Sequence, residues 1–301
     1  MKRKVNLVGS GTLTISLPSD WTKRNHIEKG DEIEITENLN ELIINPTKKE
    51  GKKEIIVDAR DIKEEFFSKR LVIIPYTKGY EKIKILYNQP WFFKKIEENI
   101  YRFPGFEILD QGEGFCVLES ISNLDEGELE KVYNRLYNLI LNINQMYSNS
   151  IKNNDPNLFL NIVQAEKVAN SLDLFCRRLL NTGKIKEQDK LISLYMIIRC
   201  LEGVSDIYRD IAKKSFGYKY RNRDLFIFVS NNLRNMLLIV KNITKENYNS
   251  EILKFKEILV ITENYINSNI LKLNARESDI FGHFRIIIRY VHEMSEEGIY
   301  F

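Results

Sequence analysis

The apolar residues of this chain change period partway along it, so no one packing layer accommodates the whole sequence. From Lys2 to Asn45 they alternate: Val5 and Leu7, then Leu13, Ile15 and Leu17, then Ile33 and Ile35, then Leu42 to Ile44. A period of two puts one face of a strand in contact with apolar neighbours. From Leu124 to the end the spacing is three and four, the mark of amphipathic helices. A chain of 301 residues has room for about two domains. The fold class that follows is α+β multidomain: a β-rich N-terminal domain, a mixed α/β connector and a C-terminal all-α bundle.

The boundaries come from the breaks. Gly9-Ser10-Gly11, Lys29-Gly30-Asp31 and Asn38-Leu39-Asn40 separate the short N-terminal strands, and Pro18-Ser19-Asp20-Trp21 opens a turn of helix with Ser19 or Asp20 as N-cap. A first domain of residues 1–47 is small for a core of its own, so it calls for a partner subunit. Residues 48–53 form a charged linker into a connector, 48–120. There Ile55–Val57, Leu71–Pro75, Lys82–Leu86 and Phe115–Leu118 read as strands and Gln89–Ile100 as a helix. Residues 121–301 carry six helices, about 124–151, 156–181, 187–214, 223–245, 249–275 and 279–297, with breaks at Asp155-Pro156, Thr182-Gly183, Tyr218–Arg221 and Asn247–Ser250.

The bundle repeats itself. Ile197-Ile198-Arg199-Cys200-Leu201-Glu202-Gly203-Val204-Ser205-Asp206 recurs ninety residues later as Ile287-Ile288-Arg289-Tyr290-Val291-His292-Glu293-Met294-Ser295-Glu296. Two three-helix units, about 121–215 and 216–301, are the economical reading, because each alone leaves an apolar face bare. Leu194, Ile198, Leu201, Val204, Tyr208 and Ile211 form the seam of one helix, and Glu202, Asp206 and Asp210 form a stripe beside it at i, i+4 and i+8. Glu166 and Asp173 on the preceding helix are placed to meet that stripe. Five carboxylates of this kind suit hard or borderline cations; the alternative is a solvated acidic face offset by Arg177, Arg178 and Arg209. The second unit offers a weaker metal site, Glu263, His292 and Glu296.

Charge is polarised at the N-terminus although the whole chain carries only +3, which excludes a histone-like binder. Residues 1–27 sum to +4 and residues 28–50 to −4. Arg3, Lys4, Lys23 and Arg24 are the candidate phosphate contacts of a DNA-binding edge, against a plain dimerisation module with solvated lysines. Lys213, Lys214, Lys219, Arg221 and Arg223 surround Phe216, Tyr218 and Tyr220. Such interleaving suits single-stranded nucleic acid, but this stretch also joins the two units, where a wet, charged turn is expected, and that reading is preferred. No nucleophile–base arrangement or dinucleotide fingerprint is present, so no enzyme and no organic cofactor are expected. Cys116, Cys176 and Cys200 lack metal or redox spacing, and no apolar run approaches the ~18 residues of a membrane span. A reducing cytoplasm and no membrane insertion follow as expectations.

The segment Arg3-Lys4-Val5 … Thr12-Leu13-Thr14-Ile15-Ser16-Leu17-Pro18 … Trp21 … Lys29-Gly30-Asp31-Glu32-Ile33 resembles the AbrB/MazE-type swapped-hairpin DNA-binding domain. The run Leu201-Glu202-Gly203-Val204-Ser205-Asp206-Ile207-Tyr208-Arg209-Asp210-Ile211-Ala212 resembles the helix signature of PhoU, the phosphate-uptake regulator. Tyr76–Tyr80 and Phe103–Ile108 look like the connector of archaeal proteins that fuse the two. The resemblance implies a homodimer that binds DNA, divalent or iron-type metal clusters on the bundle, and a role in phosphate homeostasis. It also implies a phosphate transporter or its signalling complex as partner. The rival is an adaptor that restrains such a complex without touching DNA.

Overall fold

The computed structural model describes residues 2–38, 41–46, 53–121, 127–182 and 188–297. The linker residues 48–52, the Leu39-Asn40 turn, the first residues of the bundle around 124, the break at Gly183 and the chain end after 297 lie outside them. The chain divides into two units, Met1–Lys52 and Lys53–Phe301.

The first unit contains two antiparallel hairpins. β1 (Asn6–Val8) pairs with β2 (Thr12–Thr14), Leu7 opposite Leu13. Gly9 turns the chain between them at φ +66°, a conformation that costs glycine nothing. β3 (Ile33–Asn38) pairs with β4 (Glu41–Pro46), Ile35 opposite Ile44. Between the hairpins lies helix α1 (Ser19–Arg24). Its N-cap is Pro18, with no side-chain cap hydrogen bond, so the expectation of a Ser19 or Asp20 cap is corrected. Extended backbone at Pro18 starts the helix one residue early and carries Asp20 into the first turn, where its charge meets the positive helix end.

The second unit opens with a four-stranded sheet in the order β5-β6-β8-β7. β5 (Glu54–Asp58) and β6 (Lys82–Leu86) are parallel; β8 (Phe115–Ser120) pairs antiparallel with β6 and with β7 (Phe106–Gly112). The parallel pair needs a crossover. It is supplied by α2 (Glu65–Thr77), which contains the Leu71–Pro75 run read above as a strand. A short apolar run has no helix-or-strand signature of its own. Packing decides it: Val72 and Tyr76, four apart, are buried while Ile74 between them is exposed. α3 (Pro90–Glu97) begins with proline at its first turn, and a 3-10 turn (Ile100–Arg102) follows. Val72, Tyr76, Ile83, Ile85, Phe92, Phe106 and Leu118 build this sheet's core, joined by Leu174 from the bundle.

Six helices follow: α4 (Glu128–Asn153), α5 (Asn157–Asn181), α6 (Gln188–Ser215), α7 (Arg223–Asn242), α8 (Tyr248–Asn269) and α9 (Ala275–Glu297). Leu194, Ile198, Leu201, Val204, Tyr208 and Ile211 are all buried along α6, as their spacing requires. α6 and α9 pack antiparallel, so the two copies of the repeated motif cross. Ser193 Oγ donates to Glu297 Oε2 (2.7 Å), Cys200 faces Glu293, and Tyr208 meets Phe284 edge-on. A Cβ on Gly203 would stand 2.8 Å from the Tyr290 ring, so a larger residue there would require the end of the Tyr290 side chain to move. Ser205 and Ser295, ninety residues apart, make the same bond, each hydroxyl donating to the carbonyl three residues back, 2.8 Å to Glu202 O and 2.7 Å to His292 O. Among the described residues no helix is long and apolar enough to cross a membrane.

The sheet is tied to the bundle by Arg178. Its Nη1 donates to Tyr76 O (2.8 Å) and Tyr80 O (2.7 Å), and Asn181 Nδ2 donates to Thr77 O (2.8 Å). Tyr76 O and Thr77 O belong to the last turn of α2 and Tyr80 O to the segment that follows it; Tyr76 O also accepts from Gly79 N–H at 3.1 Å. The guanidinium also lies over the Tyr76 and Phe106 rings, 5.1 and 4.8 Å from their centroids. The expectation that Arg178 offsets the acidic stripe is therefore corrected. Successive helix residues point about 100° apart, so Arg177 faces the carboxylates and Arg178 faces the sheet.

Candidate functional site

Two groups of candidate residues have a defined setting. In the first unit Arg3 and Lys4 precede β1, and Lys23 and Arg24 occupy the last turn of α1; all four are exposed. Arg24 Nε donates to the backbone carbonyl of Asp20 at 3.3 Å, and among the described residues no carboxylate pairs with it. The same unit exposes its apolar residues: Leu7 67%, Leu13 69%, Ile35 57% and Leu42 64%, with Val5, Val8, Ile15 and Ile43 similarly open. No residue of this unit whose side chain is described is buried. Alternating hydrophobicity with no buried side chain beneath it among the described residues means that the two hairpins, as described, lack a second layer. Exposed apolar side chains repeated along both hairpins mark an interaction face.

The second group lies between α5 and α6. Glu166 and Asp173 are buried on α5 and face α6, as their seven-residue spacing requires. They meet arginines there. Arg209 Nη1 donates to Glu166 Oε1 and to Asp206 Oδ1, both at 2.6 Å, and its Nε donates to Asp210 Oδ1 at 3.0 Å. Asp173 accepts from Arg177 Nη2 at 2.7 Å and Arg199 Nη1 at 3.4 Å, and Arg199 also lies 3.2 Å from Glu202. The five carboxylates thus form two clusters, each centred on guanidinium groups. Burial, and then the charges of Asp173 and Asp206, push the Glu202 carboxyl up to about 7 against the pull of Arg199. Burial and the adjacent Glu166 carboxylate push Asp206 up to about 6. Burial also raises Asp173. A proton has somewhere to sit in this network near neutral pH.

Among the described residues no group of three or more His, Cys, Asp or Glu side chains is arranged to hold a metal ion. In the acidic stripe the reason is the arginines, which occupy the space between carboxylates on facing helices. Arg199 was not singled out in the sequence, although its i,i+3 spacing from Glu202 in the repeated motif is a readable sign of an ion pair. In the second unit of the repeat His292 stacks on Phe255 of α8 (6.1 Å, 25° between planes), while Glu263 and Glu296 are exposed. The imidazole is taken up in packing. The cysteines are buried and free, and burial raises all three thiols, Cys116 to about 12 and Cys200 to about 11.

Residues 7–52 match the family of the antidote-toxin recognition protein MazE, a bacterial antitoxin. No curated protein matches the chain.

Proposed function

We infer, taking a MazE-type domain at the N-terminus as premise, that this chain is a dimeric DNA-binding regulator. Two copies of residues 1–47 cover each other's hairpins, and Arg3, Lys4, Lys23 and Arg24 of both copies line one edge against phosphates. The observation that carries this is the coincidence, in one matched segment, of bare apolar hairpins with an exposed basic cluster. The remainder of the chain, connector and helices, senses or docks. Its finer role, on this reading, is control of phosphate uptake. What supports that is the PhoU-like run Leu201–Ala212 on α6 and the order of the two domains in one chain.

Retardation of genomic DNA fragments by the full chain at about 50 and 200 mM salt tests the reading. Specific binding should weaken with salt and fall at least tenfold in the Arg3→Ala/Lys4→Ala/Lys23→Ala/Arg24→Ala variant. Sequencing the captured fragments then tests the finer role, since phosphate-transport genes should adjoin them. Binding beside unrelated genes keeps the regulator and refutes the phosphate role. No retardation even at low salt refutes DNA binding and favours the adaptor, with the β domain serving only to pair two chains.

A further inference from the structure

We propose that the cleft between the C-terminal half of α4, the start of α7 and the end of α8 binds a nucleotide-sized phosphate ester or polyphosphate. The cleft measures about 690 Å³, within the range of small-molecule sites. Four cations line it, Lys152, Arg221, Arg223 and Lys272, against the single carboxylate of Asp224. Among the described residues no carboxylate pairs with any of the four. Like charges gathered without counterions repel one another, so the arrangement favours an anion entering from outside.

Two of the four cationic side chains, Arg223 and Lys272, are held by hydrogen bonds, and the backbone at Arg221 is fixed. Arg223 Nη2 donates to Ile151 O and Lys152 O, each at 2.6 Å, which pins it to the end of α4. Arg221 is fixed through its backbone: its N–H donates to Glu277 Oε1 at 2.6 Å, and Asn222 gives Glu277 two further bonds at 3.1 and 2.8 Å. Glu277 is buried and lines no part of the cleft. Lys272 Nζ donates to Asn269 Oδ1 at 2.9 Å. Arg223 and Lys272, held in advance, lose less freedom when a ligand arrives.

The internal repeat shows how the cleft differs from the matching face of the other half. Moving ninety residues from the cleft-lining Asn149, Asn231 and Asn269 leads to Ile239, Leu141 and Leu179 at the matching places. There the side chains are buried or partly buried and pack in the core. The two halves of the bundle thus differ at these positions, with asparagines exposed or half-buried where two of the three counterparts are buried leucines. The amides add neutral donors and acceptors beside the cations, which suits a sugar-phosphate or a chain of phosphates over a lone orthophosphate.

Use of the cleft as an effector site rests on the regulatory reading; binding itself does not, and titration without DNA succeeds or fails independently of any retardation result. Isothermal titration of the full chain with ADP, pyrophosphate and orthophosphate is the test, with sulfate as control. One ADP or pyrophosphate per chain should bind at least tenfold more tightly than orthophosphate or sulfate, and more weakly as salt rises. Arg221→Ala and Lys272→Ala should each weaken binding at least fivefold. Lys254→Ala, at an exposed ion pair with Glu251, should leave it unchanged. Circular dichroism spectra that match the native chain separate loss of the site from loss of the fold. No saturable binding at millimolar ligand, equal effects of all three variants, or orthophosphate binding as tightly as ADP would each overturn the proposal. Binding by oligonucleotides with none by ADP or pyrophosphate would overturn it too.

Discussion

Replacing Arg178 with methionine should release the sheet from the bundle while leaving the bundle folded. The native side chain donates from one guanidinium nitrogen to Tyr76 O and Tyr80 O and covers two aromatic faces. Hydrogen bonds from a charged donor contribute about 1.5–3 kcal/mol each, and a desolvated cation–π contact about 1–2 kcal/mol. Against this stands the cost of keeping a guanidinium that is 2% exposed with no ion-pair partner among the described residues. Burial holds its pKa below the ordinary value for arginine, although it stays charged. Methionine removes that cost, fills much of the volume, takes the guanidinium bond from Tyr80 O, just past α2, and leaves Tyr76 O with only its bond from Gly79 N–H. The net loss should be about 3–4 kcal/mol. The effect is directional: the sheet's core includes Leu174 of α5, so the sheet loses its anchor first. Trp91 lies on α3 and reports the sheet, and Trp21→Phe removes the only other tryptophan. Urea unfolding followed by Trp91 fluorescence should coincide with the far-ultraviolet helix signal in the parent. In Arg178→Met the fluorescence midpoint should move to lower urea, ahead of the helix signal. A loss under about 1 kcal/mol, or two probes that move together, would refute the argument that this arginine holds the sheet down.

Two further outcomes are expected. Leu13→Asp or Ile35→Asp puts a charge on the bare hairpin faces and should convert dimers to monomers at micromolar concentration; light scattering showing unchanged mass would remove the case for a shared hairpin core. Glu202→Gln should change the pH dependence of stability. The carboxyl sits near 7 when folded and near its ordinary 4.5 when unfolded, so the folded state holds the extra proton between those values. Stability then falls as pH rises from about 4.5 to 7. Glutamine should flatten that fall and make the variant more stable above pH 7, by about 1–3 kcal/mol. Equal pH slopes for parent and variant in urea unfolding would show that Glu202 is ionised at no unusual energetic cost.

Elements with long, regular patterns were readable and those decided by tertiary contact were not. The six bundle helices follow from a three-to-four spacing sustained over many turns, and the N-terminal hairpins from alternation punctuated by Gly9 and Gly30. Leu71–Pro75 misled because a five-residue apolar run carries no period, and only the sheet beneath α2 makes it helical. β7 went unread for a related reason: Phe106–Gly112 is half polar, and it is a strand because β8 holds it. The acidic stripe was visible, and its meeting with Glu166 and Asp173 followed from helix geometry. The arginines that fill it were legible only in part. Arg209 stands in the stripe's own sequence, whereas the partition of Arg177 from Arg178 depends on what α5 faces on each side. The basic cleft was seen as a string of charges at a junction. Its shape comes from Gln145–Lys152 and Tyr265–Lys272, far away in sequence.

The crossing of the two motif copies decides which helix pairs with which. Gly203 opposes Tyr290, and the symmetry-related positions, ninety residues on and ninety back, place Glu293 opposite Cys200. Were α6 to pair instead with α6 of another chain, Gly203 would face Cys200 and leave a void. Were α9 to pair with α9, Tyr290 would meet Glu293 and have no room. Small against large on one side of the axis, and thiol against carboxylate on the other, make the mixed pair fit and both like pairs misfit. A bundle built from two similar halves has an inherent route to exchanging halves between molecules. This one residue pair and its mate bias the chain toward closing on itself.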